Sequence, residues 1–239
     1  ADPEAIENYG KANCDGRTEI LIEAGYSRIC DVAVQATLTE CGVEELYLNV
    51  QVIRNGKDHA GNLVVTGDAL PSLSDEDRSC LYRRGMVLMR LWWQMGYRGE
   101  IGVDAIGIDG RNVDYTGTDL TPIEREAMQA GRMRDWRFID PNARTTASQY
   151  PRSVLRQLEH MHGGHWAVLM CNVWPSPGAV ENHRDLSRVL RDLLPNGDSG
   201  VLPLMTSLLP DKLAVVCMAR ESGRQNAAVR ANALLAEVR

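Results

Sequence analysis

The sequence lacks several features that would assign the chain to a specialised class of protein. No apolar run approaches the ~20 residues that a membrane-spanning helix needs, and the first residues show no basic segment followed by an apolar one, the pattern of a secretory signal. The formal net charge is -6, so nothing draws nucleic acid to the chain in general. We therefore expect neither a membrane nor a nucleic acid as partner.

The cysteines likewise form no Cys-x-x-Cys pair, although there are six of them, at positions 14, 30, 41, 80, 171 and 217. Several fall in apolar strand or helix patterns, which favours buried, reduced thiols in a cytoplasmic protein. His160, His162 and His165 are close together in "EHMHGGHW". A His-x-His spacing on a helix points the two rings apart, which argues against a shared metal ion.

What is present is typical of a folded globular protein, with 44% hydrophobic and 24% charged residues. Strand patterns occur at 18–23 and 29–38, and Asn55-Gly56 predicts a hairpin turn. From residue 166 the pattern indicates strand, helix, strand, strand and helix, the last over 221–237. We expect an α+β fold: an antiparallel-rich sheet backed by helices over 1–160, and a smaller α/β unit over 161–239.

Two helices are predicted between these strands. Ser74 followed by Asp77 is an N-cap pattern that opens a long helix ending at Gly96. Its apolar residues recur at helical spacing and are expected in the core: Leu81, Leu88, Leu91, Trp92 and Met95. The polar segment 111–135 is predicted to be a surface insertion that can shield the site, with a short helix beginning near Pro122 because Thr121 and Glu124 form a capping box.

The stretch "WRFIDPNARTT" places polar groups at the end of an apolar strand. Asp140, Asn142 and Arg144 occupy alternate positions, so on a strand they point the same way. Asp104 lies in a second apolar strand, "IGVDAIGI". If 101–108 and 136–140 pair antiparallel, Asp104 and Asp140 face one point, where carboxylates need a cation, a proton or hydrogen-bond donors. A local explanation remains open, in which Asn142 forms an Asx-turn and Arg144 pairs with Asp140.

At these positions the sequence resembles the closing half of an ATP-grasp ligase. "GYRGEIGVDAIGIDG" is similar to that family's glycine-rich entry into a strand with a metal-binding acid, and "FIDPNARTT" is similar to its Glu-x-Asn-x-Arg segment. The resemblance implies that Asp104, Asp140 and Asn142 hold Mg²⁺ or Mn²⁺. It implies that Asn142 and Arg144 contact ATP phosphates and that Arg144 is catalytic. It also implies that Glu23, in "ILIEAGY", lies near the nucleotide.

The resemblance further implies an activity: a carboxylate is phosphorylated by ATP to an acyl phosphate, and an amine then displaces phosphate to form an amide or peptide bond. The expected partners are small-molecule carboxylate and amine substrates. Few residues precede "TEILIE", which leaves no room for the family's lysine-bearing phosphate lobe. We therefore expect a fragment, or a homo-oligomer or partner chain that supplies the missing lobe. The alternatives are metal-assisted hydrolysis by the two aspartates and a non-catalytic, ligase-derived binding module.

Overall fold

A computed structural model of the chain describes residues 28–54, 58–109, 120–174, 180–191, 198–205 and 212–221, with a few isolated positions outside these ranges. The strands are β1 (Arg28–Thr39), β2 (Gly42–Arg54), β3 (Asp58–Val65), β4 (Gly99–Ile108), β5 (Asp135–Asn142), β6 (His165–Val173), β7 (Ser199–Met205) and β8 (Leu213–Glu221). The helices are α1 (Asp75–Gln94), α2 (Pro122–Gln129), α3 (Gln149–His162) and α4 (His183–Leu190).

The eight strands form one sheet in the order β5-β4-β1-β2-β3-β6-β8-β7, and all neighbouring pairs are antiparallel. The predicted α+β class, an antiparallel-rich sheet backed by helices, is therefore confirmed. The expected division into two domains at residue 160 stays a prediction. In the sheet, β3 from one side of that boundary pairs with β6 from the other.

Side chains alternate between the two faces of the sheet, and each face packs a different helix. Val34 of β1 points to α1 so closely that a Cβ on Gly85 would lie 2.6 Å from its Cγ1. On the opposite face, Leu155 of α3 is fully buried with Trp166 and Val168 of β6. We call these sides the α1 face and the α3 face. Polar Gln35 follows Val34 in β1 and therefore belongs to the α3 face.

Helix α1 begins as predicted, because Ser74 Oγ accepts from the Asp77 amide and the Asp77 carboxylate accepts from the Ser74 amide. The prediction that its whole apolar stripe is core was wrong at the C-terminal end. Leu91 is 50% exposed and Met95 73% exposed. Only one side of the helix packs on the sheet. The apolar stripe in the sequence is wider than this contact, so its outermost residues are exposed.

Helix α2 also begins as predicted, since Thr121 and Glu124 form the reciprocal capping box. The expectation that residues 111–135 are a surface insertion was wrong for the described part. Four of its residues are buried in the main core: Leu120, Ala127, Met128 and Met133. The side of helix α2 that carries Ala127 and Met128 faces the core, and the helix therefore packs against α1 on the α1 face. Residues 110–119 lie outside the described residues.

The predicted hairpin is confirmed by the β2–β3 pairing, in which Arg54 pairs with Asp58; the turn residues themselves lie outside the described residues. The predicted strand 18–23 and most of the predicted helix 221–237 also lie outside them. Within the described part of the chain, no helix is long and apolar enough to cross a membrane.

Candidate active site

Two aspartates face each other across neighbouring strands. Strands β4 and β5 pair antiparallel with Asp104 opposite Asp140 and Gly102 opposite Asn142, as the sequence predicted. Both carboxylates line one cavity of about 290 Å³ on the α3 face of the sheet. Each lies on a strand whose neighbouring residues are held by the ladder of β-sheet hydrogen bonds, so the backbone keeps the two acids together.

A β-bulge in β5 allows one strand to serve both faces of the sheet. Phe138 pairs with Ala105 and packs with the main core, whereas Asp140 pairs with Asp104 and lines the cavity. Ile139 is the additional residue between these pairs and is 55% exposed. Regular alternation would have placed Phe138 and Asp140 on one face; a bulge changes the phase, and bulges are frequent next to active sites.

The three polar residues at the end of β5 are linked to each other. Asn142 Nδ2 donates to Asp140 Oδ2 at 3.3 Å, and Arg144 Nη2 donates to Asn142 Oδ1 at 3.0 Å. All three line the cavity, so the structure brings together four of the five residues proposed from the sequence. The fifth, Glu23, lies outside the described residues.

The floor of the cavity is formed by polar side chains that the sequence reasoning missed. Gln35 and Asn62 are 2% and 3% exposed, and Gln51 and His59 line the cavity beside them. Gln51 Nε2 donates to Asp104 Oδ1 at 2.9 Å. His59 Nε2 lies 3.4 Å from Asn62 Oδ1. The available signal was the placement of amide side chains on alternate positions of otherwise apolar strands, as in "LNVQV" and "VAVQA".

The surroundings of Asp104 disfavour its charged form. The pKa of Asp104 is raised above its ordinary value, first by burial and then by the negative charge of Asp140. The hydrogen bond from Gln51 and the positive charges of His59 and Arg144 act in the opposite direction but do not cancel the increase. The pair is therefore a site that a cation or a proton would stabilise.

The residues present fit a hard divalent cation that shares its coordination with a ligand. Within the described ranges, no group of three or more His, Cys, Asp and Glu side chains is arranged to hold a metal ion. His160, His162 and His165 do not form such a group either. Asp104, Asp140 and the Asn142 amide offer oxygen ligands on one cavity wall only. Mg²⁺ is commonly bound by one or two carboxylates, with substrate phosphates completing the coordination.

No known family profile matches the chain, and no curated protein matches it. Solved structures do match. N5-carboxyaminoimidazole ribonucleotide synthetase in complex with ADP has a TM-score of 0.52 at 12% identity, over 89% of this chain and 50% of that one. Biotin carboxylase from Campylobacter jejuni has a TM-score of 0.51 at 11% identity, over 98% and 50%. Phosphoribosylglycinamide synthetase from Anaerococcus prevotii has a TM-score of 0.53 at 12% identity, over 99% and 59%.

The chain therefore shares its fold with these solved structures, and this agrees with the fold that the resemblance to the ATP-grasp family implied. The chain spans about half the length of the solved structures that it matches. At this level of identity the likeness concerns the fold, and the activity must be argued from the site.

Proposed function

We propose that the chain is the metal- and phosphate-binding part of an ATP- and Mg²⁺-dependent carboxylate–amine ligase that acts through an acyl phosphate. The observation that carries the proposal is the pair Asp104–Asp140, which converges with Asn142 and Arg144 on one cavity. The shared fold supports it, and two of the similar structures are nucleotide complexes, one with ADP and the other with β-γ-ATP. Mn²⁺ could replace Mg²⁺ on the same oxygen ligands.

The reaction has two displacements. An oxygen of the substrate carboxylate attacks the γ-phosphorus of ATP, the bond to the bridging β–γ oxygen breaks, and ADP leaves. The nitrogen of the amine then attacks the acyl carbon, the bond to the phosphate oxygen breaks, and the nitrogen loses a proton as the amide forms. Neither displacement needs a nucleophile from the protein, so catalysis consists of positioning and charge stabilisation.

Each site residue has a role in that scheme. Asp104, Asp140 and Asn142 would hold the cation, which supplies positive charge beside the phosphate oxygens. Arg144 would place its planar fork of N–H donors against the transferring phosphoryl group and the oxyanion of the tetrahedral intermediate. Gln51 keeps one oxygen of Asp104 occupied at 2.9 Å, which leaves the other oxygen available.

The described part of the site is open on its outer side, since Asp140, on β5 at the edge of the described sheet, and Arg144, just beyond β5, are both exposed. A further lobe that covers the phosphates, from the same protein or from a partner chain, would exclude water from the reaction. The same openness favours a second candidate, a ligase-derived module that binds nucleotide without turnover. In either case the proposed partners are small molecules.

The proposed compartment remains the cytoplasm. The five cysteines in the described ranges form no disulfide there, and four of them are buried: Cys30, Cys80, Cys171 and Cys217. Burial raises the pKa of the Cys80 thiol to about 12, so this side chain stays a neutral thiol. Reduced thiols of this kind are typical of a reducing compartment.

The test is cation binding by the wild type, Asp140→Asn, Asn142→Ala and the double variant. Mn²⁺ alone, followed by electron paramagnetic resonance, probes the acids without requiring another lobe, and calorimetry with Mg²⁺ and ATP probes the complete site. Since Asp140 and Asn142 would hold one ion, each single variant should lose most of what the double variant loses.

Glu126→Gln is the matched control, because Glu126 is an exposed acid on α2, on the opposite side of the sheet. It should bind Mn²⁺ as the wild type does. Equal binding by all variants would show that the strand-end cluster is structural. Turnover is tested with the complete parent protein and candidate carboxylates and amines. If that protein binds Mg-ATP but releases no ADP, the non-catalytic module is favoured.

A further inference from the structure

The segment that carries Arg144 has little support from the sheet. Residues 143–148 follow β5, which among the described strands is an edge strand with β4 as its one neighbour. Arg144 N donates to Asn142 O at 2.9 Å and Arg144 Nη2 donates to Asn142 Oδ1 at 3.0 Å, so these two contacts reach back to the last residue of β5. Beyond Arg144, the path of residues 145–148 relative to the acids depends on side-chain contacts from this segment to other parts of the described structure.

One such contact reaches a central strand. Thr146 Oγ1 donates to Gln35 Oε1 at 2.9 Å, although the two residues are 111 positions apart in the chain. Gln35 lies on β1, which has neighbours on both sides, and is only 2% exposed. Its amide is thus a fixed acceptor for the hydroxyl of Thr146.

Glycine 102 makes room for this acceptor. A Cβ on Gly102 would lie 2.7 Å from Gln35 Cδ and closer still to its amide atoms, so the Gln35 side chain lies directly across β4 at this position. Gly102 pairs with Asn142, the last residue of β5. The glycine in "GEIGVD" therefore permits the amide of Gln35 to reach the segment that follows Asn142.

The start of α3 is fixed in the same region. Thr146 Oγ1 lies 2.8 Å from Ser148 Oγ, and Gln149 N donates to Thr146 O at 3.2 Å. The side chain of Gln149 donates to Glu100 of β4, whose carboxylate also accepts from Thr37 of β1 at 3.1 Å. The hydrogen bond of Thr146 to Gln35 is the contact of this group nearest in sequence to Arg144.

We propose that Gln35 and Thr146 are positioning residues: their hydrogen bond, the Gln35–Thr146 latch, holds residues 143–148 so that Arg144 reaches the ligand bound at Asp104 and Asp140. The latch itself is a statement about the free protein, and its effect on ligand binding rests on the proposed function. Neither residue takes part in the bond-making steps.

The first experiment measures backbone hydrogen exchange of residues 143–149 by mass spectrometry, without any ligand. Thr146→Val removes the hydroxyl at nearly constant volume, and Gln35→Met removes the acceptor. Loss of one neutral hydrogen bond should accelerate exchange about two- to tenfold in either variant, with little further effect when both are combined. Thr146→Ser keeps the hydroxyl and should exchange like the wild type. Unchanged exchange in Thr146→Val and Gln35→Met would overturn the latch.

The second experiment asks whether the latch acts through Arg144. Mg-ATP affinity is measured for Thr146→Val, Arg144→Ala and the double variant. Thr146→Val should weaken binding about two- to tenfold when Arg144 is present and less than about twofold when it is absent. Mn²⁺ binding to the acids should not change. An equal loss in both backgrounds would overturn the proposal, since the hydroxyl would then contact the nucleotide directly.

The two experiments separate the latch from the proposed function. If the wild type fails to bind Mn²⁺ and Mg-ATP, the proposed function is wrong, while hydrogen exchange still decides whether the latch exists. If the wild type binds both but Thr146→Val changes neither exchange nor affinity, the latch is wrong and the proposed function stands.

Discussion

Two groups of acids lie on opposite faces of the same sheet and have opposite surroundings. On the α1 face, buried Asp77 accepts four hydrogen bonds, from the amides of Ser74 and Arg134, the Arg134 guanidinium and the Trp136 indole, at 2.8–3.2 Å. On the α3 face, Asp104 accepts one side-chain hydrogen bond, from Gln51, and faces Asp140.

The difference separates a structural acid from a candidate functional one. Asp77 joins the start of α1 to β5, and every contact it makes is internal to the protein. Asp104 and Asp140 bring like charges together in a cavity, which is unfavourable for folding unless a ligand binds there. The unfavourable interaction between like charges thus lies on the α3 face, whereas the acid on the α1 face is fully hydrogen-bonded. Substitution of each acid tests this difference.

The largest effect is expected at Asp77. Asp77→Ala leaves buried donors of Arg134 and Trp136 without their acceptor, so the free energy of unfolding should fall by about 3–5 kcal/mol. Urea unfolding at pH 7 measures the loss. Glu76→Ala, one residue earlier, removes only the partly exposed ion pair with Arg132 and should cost less than about 1 kcal/mol. Similar losses in both variants would show that the buried hydrogen bonds of Asp77 contribute no more to stability than a partly exposed ion pair does.

Another buried acid, Asp68, should give a pH-dependent effect of intermediate size. It accepts from Leu48 N at 3.2 Å and from the Tyr82 hydroxyl, yet burial raises its pKa from 3.8 to about 6. Because the folded-state pKa is the higher one, the protonated form favours folding, and the benefit is complete below pH 3.8.

This benefit disappears as the pH rises through 6, and the difference between the two pKa values corresponds to about 3 kcal/mol. The Asp68→Asn variant cannot titrate at this position. Relative to that variant, the wild type should therefore lose about 3 kcal/mol of stability in total as the pH rises from well below 3.8 to well above 6, measured by urea unfolding at several pH values. Parallel pH profiles for the two proteins would contradict this expectation.

A smaller effect on stability is expected at the facing pair. Asp104→Asn removes the like charge opposite Asp140, so stability at pH 7 should stay constant or rise by up to about 1 kcal/mol. In the same variant Mn²⁺ affinity should fall at least tenfold. A clear loss of stability with unchanged Mn²⁺ binding would place Asp104 with Asp77 as a structural acid.

The smallest effect on stability is expected at Arg144, which is exposed. Arg144→Lys keeps the charge and loses the fork, so unfolding should change by no more than about 0.5 kcal/mol. Turnover by the complete protein should decrease more than Mg-ATP affinity, because the fork matters most for the transferring group. An equal decrease in both quantities would indicate a role in nucleotide binding alone.

The sequence predicted those features whose causes are local. The capping boxes at Ser74 and Thr121 depend on residues three positions apart, and Asn55-Gly56 specifies a hairpin between two strands adjacent in the chain. The pairing of Asp104 with Asp140 was predictable because each acid marks an apolar strand. The roles of the candidate site residues remain predictions.

Hydrogen bonds between side chains far apart in the sequence were not predicted. The buried amides find their partners across strands, as Asn49 does with Asn62 at 2.8 Å and Gln35 does with Thr146. Helix α2 was assigned to the surface because its charge pattern shows only its exposed side, whereas its apolar side packs on α1. The bulge at Ile139 has no recognisable residue pattern. It allows Phe138 to pack in the core while Asp140 lines the cavity on the other face of the sheet.

The bulge also determines which single-residue deletions the β4–β5 pairing can tolerate. Deleting one residue from a strand normally exchanges the faces of everything beyond it. Ile139 is the residue of β5 without a cross-strand partner between Phe138 and Asp140. Its deletion would convert the bulge into a regular ladder and keep Asp140 opposite Asp104, whereas deletion of Ala105 on the facing strand would disturb both pairs. Loss of one residue at this point of the chain can therefore change the local twist while Asp140 stays opposite Asp104.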